Sequence, residues 1–239
     1  MTTLVIGANG ATGKELVEQL LLKKQNIKII IRDLNKISNS WKSNSSIEII
    51  EASILELNKD EIKEIVSGCN AVISCLGHNL SWKGIYGQPR KLVTDAVRLI
   101  SIAIKEETRG KPIKFVLMNT SGNRNRDLEE PLSFKHRLVV FLLRLLLPPH
   151  VDNETAADYL RTEIGQNNKS IEWVVVRPDN LINEDNVSQY ETYPSPIRDA
   201  IFDAGKTSRV NVAHFMATLI TESNVWNTWK GQMPVIYNS

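Results

Sequence analysis

Seven residues near the start of the chain constrain its fold more than any others. Gly7-Ala8-Asn9-Gly10-Ala11-Thr12-Gly13 follows an apolar run, Leu4-Val5-Ile6, and precedes Lys14 to Lys24. In that second stretch Leu16, Val17, Leu20 and Leu21 recur at helical spacing. A strand that turns over glycines into an amphipathic helix is how a nucleotide-binding βαβ unit begins. The tight turn needs a residue without Cβ, a pyrophosphate needs close backbone approach, and the helix must pack tightly on the strand. The helix N-terminus then presents free N–H groups and the positive end of its dipole to phosphate. Gly7, Asn9, Gly10, Ala11, Thr12 and Gly13 are therefore expected to hold a dinucleotide.

The rest of the chain continues the alternation. Short β-branched runs at Ile27 to Ile31, Ile47 to Ile50, Ala71 to Leu76, Ile113 to Met118 and Trp173 to Val176 read as strands. Ile62 to Val66, Leu92 to Ile104 and Asp152 to Ile164 read as helices between them. The strands are continuously apolar rather than alternating, as strands covered on both faces are. The expected fold is α/β, a Rossmann-like doubly wound parallel sheet with helices on both faces. No linker divides it, so residues 1–239 should form one NAD(P)-binding domain. Two stretches read as loops: the Asn- and Ser-rich Leu34 to Ser46, expected to be mobile, and Leu181 to Pro196, expected to cross the sheet edge.

Composition removes whole classes of function. With 42% hydrophobic and 23% charged residues the chain is neither disordered, collagen-like nor a coiled coil. Twenty-nine basic against twenty-seven acidic side chains give a net charge of +2, which predicts no nucleic-acid partner. The two cysteines, Cys69 and Cys75, are too few for a disulfide framework and read as free thiols in a reducing compartment. The opening MTTLVIGANG has no basic n-region, and a cytoplasmic location is expected. The long apolar run Leu138 to Leu147 falls short of the roughly 20 residues that a span needs. It reads as a helix packed on the sheet or lining the substrate, with no integral membrane association. His78, His136 and His214 stand at no metal-ligand spacing, so no metal site is expected.

The end of the second strand should read the ribose. An acid there suits the 2′-hydroxyl of NAD, and a base suits the 2′-phosphate of NADP. Here Ile31 is followed by Arg32 and Asp33, with Lys36 close behind. Arg32 can offer a planar, charged fork to a phosphate. NADP(H) is expected over NAD(H).

With these residues in place, the chain resembles the atypical short-chain dehydrogenase/reductases, and within them the NmrA-like branch that contains flavin and biliverdin reductases. Four further segments carry the resemblance. Ala71-Val72-Ile73-Ser74-Cys75-Leu76-Gly77 is similar to the fourth strand, which implies that Leu76 and Gly77 lie beside the cofactor. Phe115-Val116-Leu117-Met118-Asn119-Thr120-Ser121-Gly122 is similar to the fifth, placing Asn119, Thr120 and Ser121 near it. Val174-Val175-Val176-Arg177-Pro178 resembles the strand whose Arg177 and Pro178 would approach the nicotinamide. Ser208-Arg209-Val210-Asn211-Val212-Ala213 resembles a later segment, with Asn211 as a helix N-cap.

Two departures bear on chemistry. Where the family has Gly-Asp after its third strand, this chain has Ala52-Ser53, so Ser53 would serve the adenine through its hydroxyl or backbone. The catalytic Tyr-x-x-x-Lys pair, in which lysine lowers the tyrosine pKa, is also missing. One register places Tyr159 before Glu163; the other places His150 and Glu154 at the two positions. Ordinary alcohol oxidation is then not expected. The reading that follows is NADP(H)-dependent reduction of a small planar or apolar acceptor: a quinone, a flavin or a conjugated carbonyl. His150 is the candidate proton donor, and Thr120 or Ser121 would bond the acceptor oxygen. The alternative is a non-catalytic NADP(H)-binding redox sensor that regulates a protein partner; a scaffold with a vestigial site ranks third. The acceptor should sit outside the carboxyl ends of the strands, in a small substrate-side region walled by the segments after the fourth, fifth and sixth strands, the first of which, His78 to Gln88, carries Trp82 and Tyr86. If Leu138 to Leu147 forms its floor or lid, the substrate is greasy.

Overall fold

The computed structural model describes residues 1–79, 81–107, 110–130 and 134–239. Ten strands run β1 Thr2–Ile6, β2 Asn26–Ile31, β3 Ile47–Glu51, β4 Ala71–Ser74, β5 Ile113–Met118, β6 Ile171–Pro178, β7 Asn180–Ile182, β8 Tyr190–Tyr193, β9 Lys206–Ser208 and β10 Val235–Asn238 among the described residues. The helices are α1 Ala11–Leu22, α2 Asn39–Lys42, α3 Lys59–Val66, α4 Trp82–Tyr86, α5 Leu92–Glu106, α6 Phe134–Leu146, α7 Pro148–Asp158, α8 Arg209–Thr221 and α9 Ser223–Trp229.

Eight strands form one sheet in the order β3-β2-β1-β4-β5-β6-β10-β8, and β7 pairs with β9 apart from it. All pairings from β3 to β10 are parallel, and only β8 runs antiparallel, at the edge. The order reverses between β1 and β4, which opens a crevice at their carboxyl ends. Period-two alternation sorts the side chains between two cores. Leu4 and Ile6 join the α3, α5 and α7 side with Val97, Ile100 and Leu160, while Val5 joins the α1 and α8 side with Leu16 and Met216. Helices on both faces explain why these strands are apolar throughout. The expected doubly wound Rossmann-like α/β fold is therefore found.

The structure corrects five local expectations. Residues 181–196 contain β7 and β8, and β8 finds its partner in β10, a strand absent from the sequence reading. The loop 34–46 is anchored, because Trp41 is buried and its Nε1 donates to Glu18 Oε1 at 2.6 Å. Helix α7 opens on Pro148 rather than at Asp152. A fixed φ and a missing N–H suit the first turn, so the two prolines start this helix. The α8 cap is Ser208, whose hydroxyl accepts from the Asn211 amide at 3.2 Å. Asn211 instead bonds Ser188 and Asn238 from within the fold.

The fifth concerns α6. Its Leu138, Phe141, Leu142, Leu145 and Leu146 are 43–69% exposed, so the apolar stripe faces away from the sheet. Among the described residues no helix is long and apolar enough to cross a membrane.

Candidate active site

The glycine turn joins β1 to α1 at the crevice. Gly7 has a φ of +76°, and a Cβ there would fall 2.7 Å from the backbone of Cys75 at the end of β4. A Cβ on Gly13 would fall 2.1 Å from the Gly7 carbonyl oxygen. Both glycines are required before any ligand is considered. Gly10 is exposed and serves as the α1 N-cap with no side-chain bond over the helix end. The first amides of α1, beginning at Ala11 and the buried Thr12, are thus left uncapped by any side chain. Asn9 Oδ1 is buried with no hydrogen-bond partner. An open helix start and a turn with no room for side chains fit a dinucleotide pyrophosphate, and the orphaned Asn9 oxygen suits a hydroxyl donor such as that of a ribose.

At the end of β2, Arg32 is exposed and makes no ion pair among the described residues. Asp33 is engaged locally. It accepts from the Asn35 amide at 2.9 Å and lies 3.4 Å from Lys36 Nζ, and the backbone bond leads in holding its carboxyl below the usual value. Ser53 is half-buried, and its carbonyl accepts from Glu56 at 2.9 Å.

Beyond β4, Leu76 is half-buried and Gly77 exposed. Asn119 ends β5 and is committed to the protein. Its Nδ2 donates to Asn153 O at 2.8 Å, and its Oδ1 accepts from Thr120 N and Asn123 Nδ2. Thr120 Oγ1 accepts from Gly122 N at 3.3 Å, which leaves its own proton available. Ser121 turns away: its hydroxyl donates to Asp179 Oδ1 at 2.9 Å. Desolvation raises the Asp179 carboxyl, against the bonds from Ser121 and Gly205.

Arg177 is wholly buried and uses all five of its N–H groups. Nε donates to Met233 O, Nη1 to Asn123 O and Glu130 Oε2, and Nη2 to Glu130 Oε1 and Pro194 O. The Arg177 side chain therefore has no donor left for a nicotinamide. Pro178 is buried, and its carbonyl accepts from Ser121 N at 2.9 Å.

The family model for NAD(P)H-binding proteins matches residues 7–223, which is most of the chain. The chain belongs to the NAD(P)H-binding family. A short-chain dehydrogenase/reductase of Veillonella parvula, solved with NADP, superposes with a TM-score of 0.70 at 15% identity, over 99% of this chain and 94% of that one. A Streptococcus pneumoniae protein described as an NADH-flavin reductase gives 0.67 at 18% identity over the whole of both chains. Among curated proteins, an uncharacterized chloroplastic protein of Arabidopsis thaliana is 35% identical over 71 residues, 30% of this chain and a quarter of its own length.

In this NAD(P)H-binding chain a second group of polar side chains stands on α6, α7 and the loop after β5. His150 Nε2 lies 3.5 Å from Glu154 Oε1, one turn along α7, and has no aligned hydrogen bond. Glu154 also takes both forks of Arg144, at 2.8 and 2.9 Å. Burial alone would raise Glu154, but the neighbouring His150 and Arg144 prevail and hold it at about 2. Tyr159 has the opposite environment from a lysine-activated phenol: burial raises it, although Arg98 lies 5.5 Å from its ring centre.

A cavity of about 410 Å³ opens here, lined by Gly122, Arg124, Arg126, His136, Arg137, Val140, Arg144 and Glu154. Helix α6 thus turns a cationic side, not its leucines, toward the cavity. Trp82 and Tyr86 stack on each other at 5.2 Å on α4, and neither lines it.

The sequence reading missed one further cluster. Asp152 is fully buried and accepts from Val93 N at 2.8 Å and Thr94 N at 3.0 Å, capping α5 from another helix. Its Oδ2 also meets His78 Nε2 at 2.8 Å, which ties the segment after β4 to α7. Lys91 provides no side-chain cap to α5, and that was the only local signal. Among the described residues no cluster of His, Cys, Asp or Glu could hold a metal.

Proposed function

We propose that this chain is an NADP(H)-dependent reductase that transfers hydride to a small planar acceptor without a Tyr-x-x-x-Lys pair. The observation that carries the reading is the open phosphate cradle at the start of α1, together with a separate cavity bounded by the segment after β5, α6 and α7. The bound nicotinamide supplies the hydride. Gly7, Gly10 and Gly13 admit the pyrophosphate, and the first amides of α1 bond it. Arg32 meets the 2′-phosphate, while Asp33 is held by Asn35 and Lys36 instead of facing a ribose hydroxyl. Ser53 borders the adenine, and Leu76 and Gly77 pass beside the cofactor. Asn119 positions the end of β5 through its bond to α7.

For the proton, His150 stands where the family tyrosine would, with the anionic Glu154 beside it. A carboxylate at this distance can orient the imidazole, and histidine is the side chain most often used for proton transfer. The free proton of Thr120 can bond the acceptor oxygen, whereas Ser121 is held by Asp179.

The test is calorimetric titration with NADPH and with NADH, followed by a panel of quinones, flavins and conjugated carbonyls watched at the NADPH absorbance. Tight NADPH binding with oxidation by an acceptor is expected. Tight binding with no oxidation by any of them would overturn the reductase reading in favour of a sensor.

A further inference from the structure

The cavity beside Glu154 carries more charge than hydride transfer requires. Four of its eight lining residues are arginines, against one carboxylate. Two of the arginines are neutralised. Arg144 pairs with Glu154, and Arg126 Nη1 lies 2.8 Å from Asp158 Oδ2. The other two, Arg124 and Arg137, have no acidic partner among the described residues. Arg124 Nε is moreover buried from solvent without an acceptor. A buried guanidinium N–H left unmatched is unfavourable, and an oxyanion is its best complement.

Placement makes this a substrate site and not a second cofactor site. The pyrophosphate cradle lies at β1 and α1, whereas this cavity is bounded by Gly122 after β5 and by α6 and α7. Glu154 lines it, and His150 Nε2 lies 3.5 Å from Glu154 Oε1, so the candidate proton donor adjoins a residue of the cavity wall. The outward-facing leucines of α6 leave this wall to His136, Arg137, Val140 and Arg144.

We infer that the acceptor is an anion: a planar electrophile bearing a phosphate or carboxylate that seats on Arg124 and Arg137. This rests on the reductase reading above and narrows its substrate class. Such an acceptor is amphipathic, with its charged group in the cavity and its flat ring over the nicotinamide.

The test compares matched pairs on protein saturated with NADP⁺, which occupies the cradle. Flavin mononucleotide against riboflavin isolates a phosphate. A naphthoquinone carboxylate against its neutral amide isolates a carboxylate. Affinity is read by fluorescence quenching and calorimetry, independently of turnover. The anionic member of at least one pair should bind roughly tenfold or more tightly, as the loss of one charge-assisted bond implies. The preferred pair identifies which anion the site takes. That preference should shrink about tenfold in Arg124→Gln and in Arg137→Gln, and should weaken with salt while the neutral member is unaffected.

Because Arg137 is exposed, its variant keeps the fold even if Arg124→Gln does not. Equal affinity within both pairs, or binding by neither member of either, overturns the anion site. A clear anionic preference with no NADPH oxidation would instead leave the site standing and remove the reductase reading. Oxidation by neutral and charged members alike would do the reverse.

Discussion

Replacing Glu130 with glutamine should show what Arg177 does. The pair is inside the protein: the Arg177 side chain is 0% exposed and that of Glu130 3%. Two guanidinium–carboxylate contacts of 2.7 and 3.2 Å join them, and the Asn125 amide adds a third bond to the carboxylate at 2.9 Å. Removing one partner of a buried pair costs about 3–5 kcal/mol, because the remaining charge is left uncompensated. Three carbonyls, those of Met233, Asn123 and Pro194, still receive the guanidinium in Glu130→Gln. The lower figure of about 3 kcal/mol is therefore expected. For a chain of this size each kcal/mol moves Tm by roughly 2–4 °C, so the fall should be about 6–12 °C. The assay is thermal and urea unfolding, with NADPH titration at a temperature where the variant is folded. Affinity should stay within about twofold, since Arg177 has no free donor for the cofactor. Glu130→Leu combined with Arg177→Met should recover much of the loss, as apolar replacement of a buried pair often does. A tenfold loss of NADPH affinity in a variant with unchanged Tm would refute the structural role and return Arg177 to the cofactor.

Four other outcomes are expected. Arg32→Ala should weaken NADPH about 10- to 100-fold, the loss of a charge-assisted bond of roughly 1.5–3 kcal/mol, and leave NADH within about twofold; equal losses would remove the phosphate assignment. Gly10→Val, whose Cβ would lie 3.2 Å from Gly7 O, should change stability by only about 1 kcal/mol yet abolish binding of either cofactor in calorimetry; retained binding would reduce the turn to a structural device. Glu154 is held at about 2, below its ordinary 4.5, so its native interactions stabilise the fold above pH 4.5 and lose that effect as pH falls through 2. The stability gap between the protein and Glu154→Gln, on the order of 3 kcal/mol, should be flat from about pH 5 to 8 and close below about pH 4.5 in urea titrations; a gap independent of pH throughout would contradict the assignment. Burial pushes the Cys75 thiol up to about 12, so iodoacetamide at about pH 8 should leave it unmodified by mass spectrometry until the chain is denatured; rapid native labelling would place it at an open surface.

What was legible in the chain is what local chemistry dictates. The β1–turn–α1 unit could be read because Gly7 and Gly13 are demanded by contacts within that unit and with the end of β4. Parallel order follows once strands alternate with helices. The strand Val235–Asn238 was not legible: Val235 and Ile236 pair with Arg177 and Pro178 far back in the chain, and no local pattern encodes that. Asp152 failed in the same way, because it caps a helix 58 and 59 residues away from it. In α6 the period was readable but its direction was not. Apolar faces usually turn inward, yet this helix packs beside α7 at the mouth of a charged cavity.

The arginines make the same point about charge. A net charge of +2 spread over 239 residues carries no signal for a polyanionic partner. Recognition of a small ligand depends on the local field instead, which low-dielectric walls concentrate. Arg124 and Arg126 come from the loop after β5, and Arg137 and Arg144 stand seven residues apart along α6. Seven residues return nearly to the same helical face, so the second pair was predictable as neighbours. That the loop pair would meet them depends on how β5 and α7 are placed by the sheet. The cationic lining of this cavity is thus a property of the fold, even though each residue that carries it is visible in the chain.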